Sequence, residues 1–421
     1  MKLWITLLAV VLPGIFLPLR AAEQCAIQPL NSGSQSPGPW INKDNWLAPE
    51  NLRFGMQSSE KFMPQLDIKV GVAPVVRRSA TRFLELDKIK ARDPLDQQQR
   101  DIGFLLDTRL YADGFLVVRN GRVMSEQYWN GLTAQQPRLV LDAGRPVLTI
   151  IGAIAVAQGK LATDRSVIRY IPSLTGQTGL RKLSIQRLLE EDGQFLWSPK
   201  EIDDWKAAGG WKSGANEGGI RAWMNQPSRW ERDFSGGIAL TDSGPEGDLL
   251  AWALAETYRA PLAQIVCENV LSKLRPESPV RWMTDQKGIE LSEGLAISLR
   301  DYARLGEVLI DARTSRNRSK IPNWLIETVT SSAGGPKDNA SDLSGLAKGS
   351  EVRYGFVHLG GKPNRVAIIG SHGNSLYIDF DRRLVIAIFA AYPSNRSANM
   401  LATLEQIWEK VDLATQPAAK R

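Results

Sequence analysis

Histidine and cysteine are both scarce in this chain, with two of each among 421 residues. With only His358 and His372 to supply imidazole, and two widely separated cysteines, the sequence argues against a zinc-ligand cluster. No metal or cofactor is expected. Long apolar runs are missing after the first twenty residues, so no later segment is expected to span a bilayer. Clusters of basic residues are missing too. The formal net charge of +7 is spread thinly, in pairs such as Arg77-Arg78 and Arg382-Arg383. That is a solvated surface suited to anionic envelope polymers, not a nucleic-acid footprint. A composition 43% hydrophobic and 23% charged leaves no room for domain-sized disorder.

What is present begins at the N-terminus. Lys2 precedes an apolar stretch, Leu3 to Leu19, broken by Pro13 and Pro18, and Arg20-Ala21-Ala22 offers small residues for cleavage. Residues 1–21 therefore read as a secretory signal peptide, and the protein as periplasmic or secreted. An uncleaved membrane anchor is the alternative. Removing residues 1–21 takes away Lys2 and Arg20 and no acid, leaving +5. In an oxidising compartment Cys25 and Cys267 can form a disulfide; a free Cys25 with a buried Cys267 stands beside it.

Residues 22–60 are rich in Pro, Gly, Asn and Ser and read as a long irregular arm lying on the body, with the N-terminal arm as a whole expected over 22–78. The body is expected over 79–412, with a largely helical subdomain at about 165–310 and a tail at 413–421. Residues 79–92 carry a helical pattern through Phe83, Leu84, Leu86 and Ile89. Gly114 to Val118, Asn120-Gly121 and the run to Trp129 predict a tight hairpin. Val147 to Ala157, ended by Gly159, predicts a buried helix. Further helices are expected at 248–257, 260–274 and 299–309, and residues 313–350 read as a polar surface excursion. Strands are expected at 354–357, 365–369, 375–380 and 384–391, followed by a helix over about 397–412. The sum is an α+β architecture. One antiparallel sheet is built from both chain ends and flanked by helices, and a cleft separates it from the helical middle.

The order of several short strings carries a resemblance. They include Gln158-Gly159-Lys160-Leu161, Tyr170-Ile171-Pro172-Ser173-Leu174, Gly247-Asp248-Leu249-Leu250-Ala251-Trp252 and Gly373-Asn374-Ser375-Leu376-Tyr377-Ile378-Asp379. Over about residues 40–412 the chain resembles the serine β-lactamases of class C and the penicillin-binding proteins, above all the 6-aminohexanoate-dimer hydrolase relatives. The resemblance implies three reactive motifs. The Ser-x-x-Lys tetrad falls on Asp142-Ala143-Gly144-Arg145, so Asp142 stands for the nucleophile and Arg145 for the lysine. The Tyr-x-Asn motif falls on Asp242-Ser243-Gly244. The Lys-Thr-Gly motif falls on Ile368-Ile369-Gly370, with His372 two residues on.

A carboxylate is a poor acyl acceptor, and a guanidinium stays protonated and cannot act as a base. Pro146 further biases Arg145 away from helical angles. The sequence thus predicts a vestigial pocket made of Asp142, Arg145, Asp242, Gly244, Ile368, Gly370 and His372, with no catalytic residue. In it Arg145 should lie between Asp142 and Asp242 as an ion-pair cluster, and His372 should be a turn or core histidine. The Trp-rich loops around Trp197, Trp205, Trp211, Trp223 and Trp230 either line the cleft or pack the helical part. The expected function is that of a β-lactamase-related pseudoenzyme binding an envelope ligand or a protein partner. The alternatives are an active serine hydrolase with a displaced nucleophile, Ser243 or Ser371, and an Asp142/Asp242 acid–base pair acting on a glycan.

Overall fold

The computed structural model describes residues 25–30, 40–75, 78–79, 83–191, 195–214, 218–232, 244–314, 319–331 and 343–416. The expected signal peptide, Asp242 and Ser243 lie outside them.

The main sheet has eight strands in the order Glu351–Arg353, Phe356–His358, Arg365–Ile369, Ser375–Asp379, Leu384–Ala390, Ala112–Arg119, Arg122–Tyr128 and Arg78–Ser79. All neighbours are antiparallel except the last pair. The two chain ends meet where Leu384–Ala390 pairs with Ala112–Arg119. Side chains alternate between two cores, as a pleated strand buried on both faces requires. Leu116, Val118, Val385, Ala387 and Phe389 face one core; Phe115, Val117, Ile386 and Ile388 face the other. Helix Leu299–Ala312 packs on the first face. Helix Ala398–Ala414 covers the second with Leu401, Leu404, Ile407 and Trp408. The hairpin turns at Asn120 and Gly121, both at positive φ, 49° and 73°.

A second sheet, not foreseen from the sequence, has five strands in the order Cys25–Leu30, Gln65–Val70, Val280–Thr284, Glu290–Ile297 and Arg138–Leu139. It corrects two expectations. The N-terminal arm is not irregular throughout, since it contributes two strands and the helix Leu52–Gln57. The 165–310 region is not helical throughout either: residues 280–297 hold two strands, and helix Leu299–Ala312 belongs to the main sheet. Cys25 and Cys267 form a disulfide that ties the first of these strands to the helical segment 262–274.

The helix expected over 79–92 does not form. Within the described part of that span, Leu86–Lys88 is one 3₁₀ turn and Lys90–Arg92 a short strand. Leu84 donates its N–H to Met124, and the extended Glu85 buries Leu84 and Leu86 together while Phe83 stays exposed. Two apolar residues at i and i+2 satisfy a strand-like path as well as a helical one. The strand expected from Tyr354 starts at Phe356, because Tyr354 and Gly355 form a turn at positive φ. The 313–350 segment is not merely superficial: helix Asn323–Thr330 buries Leu325, Ile326 and Val329.

Candidate functional site

Helix Pro146–Ala157 is buried along most of its length and begins at a proline, whose missing N–H costs nothing at the first helical position. The residues before it form a 3₁₀ turn, Leu141–Gly144. Arg145 takes right-handed helical angles, φ −58° and ψ −35°. The expectation that Pro146 would push Arg145 out of the helical region is therefore wrong. The turn hands directly into the helix, and the Arg145 N–H bonds to the Asp142 carbonyl at 3.0 Å. The Tyr302 hydroxyl donates to the Ala143 carbonyl at 3.1 Å and pins the turn from below.

Asp142 Oδ1 accepts the backbone N–H of Ser371 at 2.6 Å. Its other oxygen lies 3.9 Å from Arg145 Nη2 and 3.7 Å from Arg396 Nη2. Arg145 Nε lies 3.7 Å from Glu293 Oε1. An ion-pair cluster thus forms from Asp142, Arg145, Glu293 and Arg396; Asp242, expected as the second acid, lies outside the described residues. Glu293 was missed because it sits mid-strand in Leu291-Ser292-Glu293-Gly294-Leu295. An acid between Leu291 and Leu295 in the strand Glu290–Ile297 was the one available signal.

Burial acts first on Arg145, lowering its pKa. The carboxylates of Glu191, Glu293, Asp142 and Glu246 outweigh it and hold the guanidinium above its ordinary range. The same burial pushes Glu246 and Glu293 up to about 7 and Asp248 up to about 6. Glu246 is opposed by the Phe195 N–H at 2.8 Å and the Trp197 indole at 2.9 Å.

Gly244 opens helix Gly244–Tyr258. A β-carbon placed there would stand 2.1 Å from Cη2 of Trp205, so the indole occupies the space a side chain would need. The Trp205 Nε1 donates to Asp248 at 2.8 Å, and Asp248 also accepts the Ser292 N–H at 2.7 Å. Gly370 is equally constrained: its β-carbon would meet Ala143 at 2.5 Å. Ile368 is 1% exposed, turned into the core and away from the cleft.

His372 adopts φ 62° in the turn that follows, as a turn histidine. Its Nδ1 lies 2.8 Å from the Tyr392 carbonyl and so carries the proton there. Burial lowers its pKa, against the Tyr392 carbonyl and the Asp142 charge. Behind the turn, fully buried Arg138 bonds to Asp113 at 3.0 Å, the Asn374 side-chain oxygen at 2.7 Å and the Ala390 carbonyl at 2.6 Å. Asn374 in turn donates to the Ser371 carbonyl at 3.0 Å. This chain of bonds fixes the loop that presents the Ser371 N–H.

A cavity of about 350 Å³ opens onto these groups. Asp142, Arg145, Glu293, Ser371 and His372 line its floor, Lys43, Asp44 and Trp46 come from the N-terminal arm, and Trp205, Lys206, Trp211 and Lys212 from the helical part. The five tryptophans divide. Trp205 and Trp211 wall the cavity. Trp197, Trp223 and Trp230 pack against one another and Phe195 in tilted and edge-to-face contacts, at ring distances of 5.2–6.5 Å.

With this geometry in hand, three known proteins are informative. A 6-aminohexanoate-dimer hydrolase of Paenarthrobacter ureafaciens is 23% identical over 364 residues, covering 83% of this chain and 88% of that protein. A solved structure from Bacillus anthracis that carries the same name superposes with a TM-score of 0.75 at 20% identity, over 90% of this chain and 98% of its own. A penicillin-binding protein homologue from Pyrococcus abyssi superposes at 0.54 with 13% identity, over 76% and 79%. The chain has the serine β-lactamase/penicillin-binding fold. No family profile matches it. In this chain the floor of the cavity holds a carboxylate, Asp142, and a guanidinium, Arg145.

Proposed function

We propose that this protein is a non-catalytic member of the β-lactamase-like hydrolases, exported to the periplasm or secreted, which binds an envelope ligand or a protein partner through the retained cavity. One observation carries the reading: the Asp142 carboxylate sits on the Ser371 N–H. Acyl transfer needs a hydroxyl at that point and free backbone N–H groups to receive the developing oxyanion. A carboxylate oxygen already on the donor both replaces the nucleophile and fills the hole. Arg145, locked in its charged form among acids, cannot remove a proton. The Asp142 carboxylate, held between two guanidinium groups, is a poor general acid for glycan chemistry.

The tie between Cys25 and Cys267 supports an oxidising compartment, in keeping with the N-terminal signal. The names of the relatives support a hydrolytic ancestry; fold does not by itself carry activity.

A second reading has one observation in its favour: Ser371 lines the cavity beside His372. A displaced Ser371 nucleophile would need the imidazole as base, and since His372 Nδ1 carries its proton to the Tyr392 carbonyl, Nε2 would have to take the serine proton. Labelling the purified protein with a fluorescent penicillin and a fluorophosphonate separates the two. The proposed function gives no labelled band. A band that disappears in Ser371→Ala establishes the second reading.

A further inference from the structure

The charges around the cavity are unevenly partnered. Four cationic side chains line it, Lys43, Arg145, Lys206 and Lys212, and four acids, Asp44, Asp142, Asp203 and Glu293. Arg145 faces Asp142 and Glu293, and Lys212 pairs with Asp203 at 3.3 Å. Asp44 accepts the Ser213 N–H at 2.9 Å. Among the described residues, neither Lys43 nor Lys206 has a carboxylate within ion-pair distance or a hydrogen-bond acceptor.

Lys43 is half-buried, and burial lowers its pKa, against the weaker pull of Asp44. Its ammonium stands over Gly210, about where the indole wall of the cavity begins: a β-carbon on Gly210 would lie 3.5 Å from Nζ. Lys206 is half-buried on the same helix as Trp205, and its charge reaches Glu293 without pairing with it. A partly desolvated ammonium without a paired counter-ion costs stability unless something else compensates it. Two of them facing one cavity beside indole surface form a receptor for a negative group attached to an apolar body.

We infer that the cavity takes an anionic small molecule, a carboxylate with an apolar or aromatic body, whose negative group is received by Lys43 and Lys206 while its body lies against Trp205 and Trp211. The inference rests on the proposed reading of the cavity as a binding site. A carboxylate is favoured over a multiply charged anion because Asp44, Asp142, Asp203 and Glu293 share the walls and would repel a second negative charge.

Tryptophan fluorescence, excited at the red edge of the indole band, reads the effect. The purified full-length protein is titrated with 3-phenylpropionate and with its neutral analogue 3-phenylpropanamide. The acid should bind about tenfold more tightly than the amide, the worth of one charge-assisted contact. That preference should vanish in Lys43→Met/Lys206→Met and persist in Lys88→Met, an exposed lysine outside the cavity. Should the double variant fail to fold by circular dichroism, Lys43→Gln on the N-terminal arm serves alone and should reduce the preference. Equal affinity for acid and amide, no quenching by either, or a preference unchanged in the lysine variants overturns the inference. Intact-mass analysis after fluorophosphonate treatment keeps the two failures apart. Equal affinities without an adduct overturn the anion inference alone, whereas an adduct on serine overturns the reading on which it rests.

Discussion

Ser371 donates its backbone N–H to Asp142 Oδ1 at 2.6 Å, across the gap between the main sheet and the start of the buried helix. The bond joins residues from the two ends of the chain and closes the floor of the cavity. Its strength follows from charge assistance, and the partial burial of both residues adds to the cost of losing it.

Replacing Asp142 should show this. Asp142→Ala leaves the Ser371 N–H without its acceptor and takes one counter-ion from Arg145 and one from Arg396. A loss of about 2–4 kcal/mol is expected. Asp142→Asn keeps an acceptor and should lose less. Chemical denaturation with matched slopes checks both values.

Arg145 is the only described cation that the surrounding acids Glu191, Glu246 and Glu293 are seen to share. Arg145→Met removes the charge and keeps much of the stem. It should cost about 3–5 kcal/mol near neutral pH, as breaking a buried pair does. The same variant should lose less below pH 5, where the acids can take up protons.

The buried acids set the pH profile. Glu246 ionises at about 7 in the folded protein and in the ordinary carboxylate range when unfolded. Between those limits the folded state holds the extra proton. Stability is therefore greatest below the unfolded value, falls as pH rises from about 4.5 to 7, and levels off above it. Glu293 acts in the same sense, more weakly, since 19% of its side chain is open to the cavity. Glu246→Gln should flatten that slope in melts recorded between pH 5 and 8; an unchanged slope contradicts the assignment.

Trp205 fills the place above Gly244. Gly244→Asn, which would place an amide at the start of this helix, should be destabilising by about 1–3 kcal/mol, because the indole must leave its rotamer and its bond to Asp248. Adding Trp205→Ala should relieve the clash, so the pair of changes will be non-additive in a double-mutant cycle.

The local features of the fold were legible in the sequence. Asn120-Gly121 specified its hairpin, and the nearly continuous apolar run after Pro146 marked a buried element. That Asp142 and Arg145 stand together at the mouth of the buried helix was legible too, because they directly precede Pro146 and its apolar run. What decides the chemistry was not. The donor to Asp142 is a backbone N–H, which no side-chain pattern records. Glu293 reaches Arg145 only because the strand Glu290–Ile297 joins a second sheet with the N-terminal arm, a long-range pairing without a local signature. Trp205 over Gly244 depends likewise on how one helix docks against another. The expected partner Asp242 and the alternative nucleophile Ser243 lie outside the described residues.

The central claim is that this floor cannot form an acyl-enzyme. Rapid-mixing of the protein with p-nitrophenyl butyrate at high enzyme concentration tests it most directly, since an acyl intermediate releases a burst of nitrophenolate in proportion to enzyme. A trace that rises linearly from zero at the rate of buffer is the predicted result; a burst stoichiometric with protein and abolished by Ser371→Ala would contradict it.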